Sequence, residues 1–131
     1  MQKNGIQNSE ICRLIASIGH TQYLMIADVG LPIPKGVACV DLALRVGYPS
    51  FAEVLDSIMN ELVYEHYYLA EELREVDPEA AKELVEKLGD VSGEFVPHEV
   101  LKEMSRDALA IIRTGENKSY RNIILRAGVN F

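Results

Sequence analysis

Five polar residues stand at positions where chemistry is possible. His20 follows a glycine that can end a helix and precedes an apolar run. An imidazole both donates and accepts a proton near neutral pH, which is what acid–base catalysis requires. By position alone the plainer reading is an imidazole that complements a helix C-terminus. Asp28 sits where the apolar run Tyr23 to Ala27 gives way to Val29-Gly30-Leu31-Pro32-Ile33-Pro34-Lys35-Gly36, which two prolines and two glycines mark as a loop. Ligands of open α/β sheets bind beyond the carboxyl ends of strands, so Asp28 can meet a ligand there. It can also simply start an Asx-turn. His98 follows Pro97 at a strand-to-helix turn, where a solvated turn residue is the plain reading. Tyr120 and Asn122 are two residues apart. In extended backbone both side chains share one face, and a phenol beside an amide suits sugar hydroxyls. In isolation the pair reads as a turn residue plus an edge polar residue. The third histidine, His66, adjoins Tyr67 and Tyr68 in a strand-like stretch and reads as structural or interfacial.

Other chemistries find no support. The Gly30 to Gly36 loop lacks the GK[ST] ending of a P-loop, and there is no GxGxxG and no GxSxG. Asp28 resembles a phospho-accepting aspartate in position, but no acidic pair stands nearby in sequence to hold magnesium. Two histidines and a carboxylate are the ingredients of a facial metal triad, and their wide spacing neither supports nor excludes one. Cys12 and Cys39 fit no zinc pattern; both lie in apolar stretches and are expected to be structural thiols. The expectation is a protein with no cofactor and no bound metal.

Composition narrows the class further. The 131 residues favour a single domain over 1–131, with 48% hydrophobic and 25% charged residues. A formal charge of −7 repels phosphate backbones, so nucleic acid is not an expected partner. No apolar run reaches membrane-spanning length and Met1 to Gly5 has no hydrophobic signal region, which makes the cytoplasm the expected location.

The elements that must position these residues follow from periodicity. Ile11, Leu14, Ile15 and Ile18 mark a helix that Asn8 or Ser9 caps and Gly19 ends. Tyr23 to Ala27 is a short buried strand, and Val37 to Leu44 a second one. Phe51, Val54, Leu55, Ile58, Met59 and Leu62 form one apolar stripe, with Ser50 and Glu53 at capping-box spacing. A strand over Tyr64 to Ala70 precedes a helix opened by Asp77-Pro78 and closed by Gly89. Glu94 to Val96 is a short strand and His98 to about Ser105 a short helix. Ala108 to Arg113 and Asn122 to Leu125 are the last strands; with a short loop between them, they are expected to pair antiparallel. Glu71, Glu72, Glu79, Glu83 and Glu86 read as solvated helix faces. The expected fold is a three-layer α/β/α sandwich around a mixed sheet of about six strands.

The ordered series Asn4-Gly5-Ile6, Asn8, Gly19-His20-Thr21, Ile26-Ala27-Asp28 and Gly30-Leu31-Pro32-Ile33-Pro34 carries a resemblance, as does Asp41-Leu42-Ala43-Leu44 with Gly47-Tyr48-Pro49. So do Ile112-Arg113-Thr114-Gly115-Glu116, Tyr120, Asn122, Leu125 and Gly128-Val129. From end to end the chain resembles the D-ribose pyranase branch of the RbsD/FucU sugar mutarotase family. Gln22, Val29, Lys118-Ser119 and Arg121 depart from the usual pattern: an acidic residue, an alanine, Thr-Pro and a small residue, respectively. The resemblance implies cofactor-independent interconversion of the pyranose and furanose forms of D-ribose. It implies His20 as proton donor and Asp28, His98, Tyr120 and Asn122 as sugar contacts. It further implies a homo-oligomer, typically a decamer of stacked pentamers, with sites built across subunit boundaries. The sister branch acts on L-fucose.

The implied reaction suits the residues. A pyranose opens when its ring oxygen gains a proton and its anomeric hydroxyl loses one; the aldehyde then recloses through a different hydroxyl. One positioned histidine can serve both transfers. Asp28 can hold the tautomer of His20 or bind a hydroxyl directly. The competing readings are a non-enzymatic sugar-binding or transport-accessory protein, a mutarotase for another sugar, and a metal-dependent sugar isomerase.

Overall fold

Six short strands, the central ones of almost wholly apolar sequence, build one sheet in the computed structural model, which describes residues 1–131. In chain order the elements are α1 (Ser9–Ser17), β1 (Tyr23–Ala27), β2 (Ala38–Asp41), α2 (Phe51–Met59), β3 (Tyr64–Ala70), α3 (Glu71–Val76), α4 (Pro78–Leu88), β4 (Ser92–Val96), α5 (His98–Met104), β5 (Ala108–Arg113) and β6 (Ile123–Ala127). The strand order is β2-β5-β1-β6-β3-β4. β1 runs parallel to β5, β2 to β5 and β3 to β4, while β6 is antiparallel to both β1 and β3. Five strands therefore point one way and β6 alone points back. The sheet is mixed, as expected, but not by the expected pairing. β5 and β6 do not bond each other, because β1 lies between them. The β5–β6 loop must cross the end of β1, and this carries the loop over Asp28.

Alternation along β1 shows why the sheet is covered on both sides. Leu24 and Ile26 face one layer and Met25 and Ala27 the other, all with no exposed surface. The first layer is thick: Ile11 and Leu14 of α1, four residues of α2, Leu73 of α3 and Ala81, Leu84 and Leu88 of α4. The second is thin, with Leu101 of α5 and Leu31 of the loop after β1 as its main buried members outside the sheet. The three-layer α/β/α architecture thus holds with unequal outer layers.

Local signals set the helix ends. Asn8 accepts from the Ile11 N–H, and Ser50 and Glu53 form a full capping box. Asp77 accepts from the Ala80 N–H ahead of Pro78, and Gly89 closes α4 at φ +63°. The end of α1 differs from expectation. Ile18 is the C-cap, and the left-handed residue is Thr21 at φ +70°, not Gly19. The second strand is shorter than Val37 to Leu44, because β2 is a sheet edge and only Ala38 to Asp41 find a partner in β5. On that edge Cys39 is exposed, so it is not the buried thiol its apolar neighbours suggest; Cys12 is half-buried and points its Sγ at the Ile6 carbonyl.

Candidate active site

Because five strands are parallel, their carboxyl ends line one edge of the sheet. Asp28 leaves β1 there, His98 opens α5 just after β4 and Pro97, and Tyr120 and Asn122 lie just before β6 returns. Asp28, His98 and Tyr120 line one cleft of about 460 Å³ with Gly30, Leu31 and Pro32, and Lys102, Glu116 and Lys118 complete its polar rim. This is the position that the general rule for open α/β sheets assigns to ligands.

Hydrogen bonds hold this end of the site rigidly. The Asp28 N–H donates to Asn122 Oδ1 at 2.8 Å, and Asn122 Nδ2 donates to Asp28 Oδ2 at 2.9 Å. The other Asp28 oxygen accepts from the Gly30 N–H at 3.0 Å. The Asx-turn and the ligand-edge position are therefore both present, and neither excludes the other. Asn122 is 0% exposed. Its side chain belongs to Asp28 and does not line the cleft, unlike that of Tyr120. The shared-face expectation for Tyr120 and Asn122 fails for a backbone reason: Tyr120 has φ +62°, so the segment is a turn rather than extended. The turn sends the phenol into the cleft and the amide inward.

The Thr114-Gly115-Glu116 stretch braces the same end. Thr114 bonds the Ala27 carbonyl through both its N–H and its hydroxyl, and Val29 N–H donates to the Glu116 carbonyl at 2.8 Å. Gly115 passes so close to Tyr48 that a Cβ would collide with the Tyr48 carbonyl, so only glycine fits. Arg113 bridges the Val29 carbonyl and both Asp41 oxygens. Arg121 is 8% exposed; it binds the Ser119 carbonyl and Asp77, tying the cleft loop to the start of α4. The Asp77 carboxyl lies below its ordinary range, first because it accepts from the Ala80 N–H and then because of the Arg121 guanidinium.

His98 packs edge-on against Tyr120 with ring centroids 5.0 Å apart. Its backbone N–H is held by both oxygens of Glu72 at 3.0 Å, so this glutamate is not a merely solvated helix residue. Its Nδ1 is buried with no partner in the chain. Sequence reasoning missed Glu72 because the contact spans 26 residues. It also missed Lys102, although the i+4 spacing from His98 on one helix put that signal within reach.

His20 does not join this group within one chain. It precedes β1 while Asp28 follows it, and five extended residues separate the two by roughly 16 Å. Asp28 therefore cannot hold the His20 tautomer in the same subunit. Nor does the imidazole turn back onto the end of α1. Its Nε2 lies 3.0 Å from Glu65 Oε2, at the start of β3. Its surroundings are a second depression, lined by Ile15, Ile18, Leu62, Val63 and Val129 together with Glu61 and Asn130. Bonding to His20 draws the Glu65 carboxyl below its usual range. His66 is bonded to Ser92 at 2.6 Å and Glu94 at 3.1 Å across β3 and β4, the structural role expected of it. No three His, Cys, Asp or Glu side chains cluster as metal ligands do. No helix is long and apolar enough to cross a membrane.

Known proteins resemble this chain in sequence and fold. A D-ribose pyranase of Geobacillus thermodenitrificans is 52% identical over 131 residues, covering all of this chain and 99% of its own. One from Bacillus cereus is 49% identical with both chains fully covered. Among solved structures, Bacillus subtilis RbsD complexed with D-ribose superposes with a TM-score of 0.96 at 40% identity over the whole of both chains. A fucose mutarotase from Streptococcus pneumoniae in complex with L-fucose shares the fold, with a TM-score of 0.80 at 23% identity over 99% of this chain and all of its own. The RbsD / FucU transport protein family matches residues 1–130. With the family matched over residues 1–130 and the sequence and overall fold in agreement over the full length, the chain belongs to the RbsD / FucU family.

Proposed function

We propose that this protein is an isomerase that interconverts the pyranose and furanose forms of D-ribose. The observation that carries the reading is full-length identity of about half to D-ribose pyranases, together with a 0.96 superposition on a ribose-bound relative. The carboxyl-edge cleft supports it: a carboxylate, an imidazole and a phenol converge there. Such groups bind a neutral polyol through hydroxyl hydrogen bonds.

In this reading Asp28, His98 and Tyr120 hold the sugar, and Asn122 acts by fixing Asp28. His20 is the proton shuttle. It takes the anomeric hydroxyl proton while the C1–ring-oxygen bond breaks, and returns that proton to the ring oxygen as the aldehyde forms. Reclosure through another hydroxyl reverses both transfers. Positioned acid–base catalysis supplies about 10²–10⁴-fold, enough for a reaction that water already permits, with no cofactor and no metal. Because His20 and Asp28 lie at opposite ends of β1, a complete site needs His20 from a neighbouring subunit. This is the reason to propose a homo-oligomer with sites at subunit boundaries, a decamer by family resemblance. A ring-shaped enzyme handling an imported sugar fits the cytoplasm.

The experiment is magnetisation-transfer NMR on D-ribose with and without the protein, with L-fucose in parallel. Faster pyranose–furanose exchange is expected for ribose. Ribose binding with no acceleration would leave only a sugar-binding role.

A further inference from the structure

The His20 end of the molecule holds a device that the ring-opening chemistry alone does not demand. Resting on the reading of His20 as the proton shuttle, we propose that Glu65 is its positioning residue, holding Nε2–H so that Nδ1 is the nitrogen that exchanges protons with the sugar.

Three independent features converge on this pair. The first is the ladder between β3 and β6. Tyr64 pairs with Ala127 and His66 with Arg126, so two steps on β3 oppose one on β6 and Glu65 is the extra residue of a bulge. A bulge re-aims the side chain of its extra residue and is common beside active sites. Here it directs the carboxylate to His20, with Oε2 3.0 Å from Nε2. The second is the opposite strand. Arg126 places its Nε 3.2 Å from Glu65 Oε1, a charge contact that keeps the carboxylate ionised and turned toward the ring. The third is the turn that carries His20. Its backbone is pinned on both sides: Gly19 N–H donates to Gln22 Oε1 at 2.7 Å, Thr21 N–H to the Ala127 carbonyl at 2.9 Å, and Ala127 N–H to the Gln22 carbonyl at 2.8 Å. Gln22, a departure from the acidic residue of the family pattern, thus supplies the acceptor that the turn needs.

An ionised carboxylate can only accept, so the Nε2 of a neutral His20 must carry the hydrogen. That leaves Nδ1 with a free lone pair. In the reaction Nδ1 takes the anomeric hydroxyl proton, the O–H electron pair becomes the new C=O bond, the C1–O bond pair goes to the ring oxygen, and Nδ1 of the imidazolium returns the same proton to that oxygen. The imidazolium formed in between is stabilised by Glu65, and Nε2–H never leaves the carboxylate. Without Glu65 both tautomers of His20 coexist, and the Nδ1–H form cannot accept the hydroxyl proton at that atom.

The test uses the assembled protein and three variants, Glu65→Ala, Glu65→Gln and His20→Ala. Ring exchange is measured at saturating D-ribose, ribose affinity by calorimetry, and the His20 ring tautomer by 15N-edited NMR. Glu65→Ala is expected to lower saturated exchange by about tenfold, part of what positioned acid–base catalysis supplies. Affinity should stay near that of the parent protein, and the His20 nitrogens should move toward the averaged values of mixed tautomers. Glu65→Gln, whose amide oxygen can still accept Nε2–H, should fall between. Parent-like exchange and an unchanged nitrogen pattern in Glu65→Ala would overturn the positioning role, and so would an affinity loss equal to the rate loss with the tautomer intact. If His20→Ala itself exchanges ribose at the parent rate, the reading of His20 fails and the Glu65 proposal falls with it.

Discussion

The two ends of β1 are built in opposite ways. At the carboxyl end Asp28 is locked by a fully buried amide, an Asx-turn and a braced loop, and both its carboxylate oxygens have partners within the chain. At the amino end the His20 side chain is 51% exposed and engages a single carboxylate. The first end is pre-organised for binding, because its polar groups are ordered before a ligand arrives. The second is open, which leaves its imidazole accessible. On the proposed reading, these are a binding half and a proton-transfer half on one strand, about 16 Å apart, and a site assembled between subunits would pair one end with the other.

The largest test of this contrast is His20→Ala. Exchange at saturating ribose is expected to fall by about 10²-fold or more. Circular dichroism and thermal unfolding should stay unchanged, because an exposed side chain contributes little to stability. Parent-like exchange would move the proton shuttle to the other end of the strand. Dissociation should act in the same direction. Subunits separated by dilution or by interface substitutions, followed by ultracentrifugation, should lose exchange activity; a fully active monomer would break the division between the ends.

Asn122→Ala probes the locked end. It removes both bonds to Asp28 and leaves a buried N–H without an acceptor, which costs about 2–3 kcal/mol in denaturant unfolding. Ribose affinity should weaken more than bound-state exchange, because Asp28, no longer held by the amide, stands out of position for its sugar hydroxyl while His20 is untouched. A smaller effect belongs to Asp77. Its carboxyl is depressed in the folded protein by the Ala80 N–H and by Arg121. A depressed carboxylate stabilises above its unfolded pKa and loses that contribution as pH falls through the folded value. The stability advantage of the parent protein over Asp77→Asn should therefore be full at neutral pH and fade in acid, measured by thermal melts across pH. A constant difference would show that neither the Ala80 N–H nor Arg121 favours the charged Asp77 in the folded protein. The smallest expected effect is none: exhaustive chelation should leave ring exchange unaltered, and a loss restored by zinc, manganese or iron would replace the acid–base mechanism.

Much of the architecture was legible in local pattern. The Ser50–Glu53 capping box, the Asp77-Pro78 start and the Gly89 end of α4 are signals within a few residues, and they stand where they were expected. Tyr23–Ala27 and Ala108–Arg113 are strands with the expected bounds because short apolar runs between turn signals have few other outcomes. The placement of Asp28 at a strand end was equally readable, since it needs only one strand and one loop. Glu72, by contrast, read as a solvated acidic residue, because nothing near it in sequence announces a bond to the His98 N–H.

What the sequence by itself determined is most of the elements, though not the short helix α3, the fold class and, through its ordered motifs, the family. What only the tertiary structure decided is which residues meet. Pairing is a long-range choice: β1 entered between β5 and β6 and separated two strands that a short loop seemed to join. A single left-handed residue, Tyr120, turned a phenol and an amide to different tasks, and one extra residue in β3 aimed Glu65 at His20. Periodicity reports the face of a residue on its own element, but the partner across a sheet or a cleft depends on register and turn geometry summed over the whole chain.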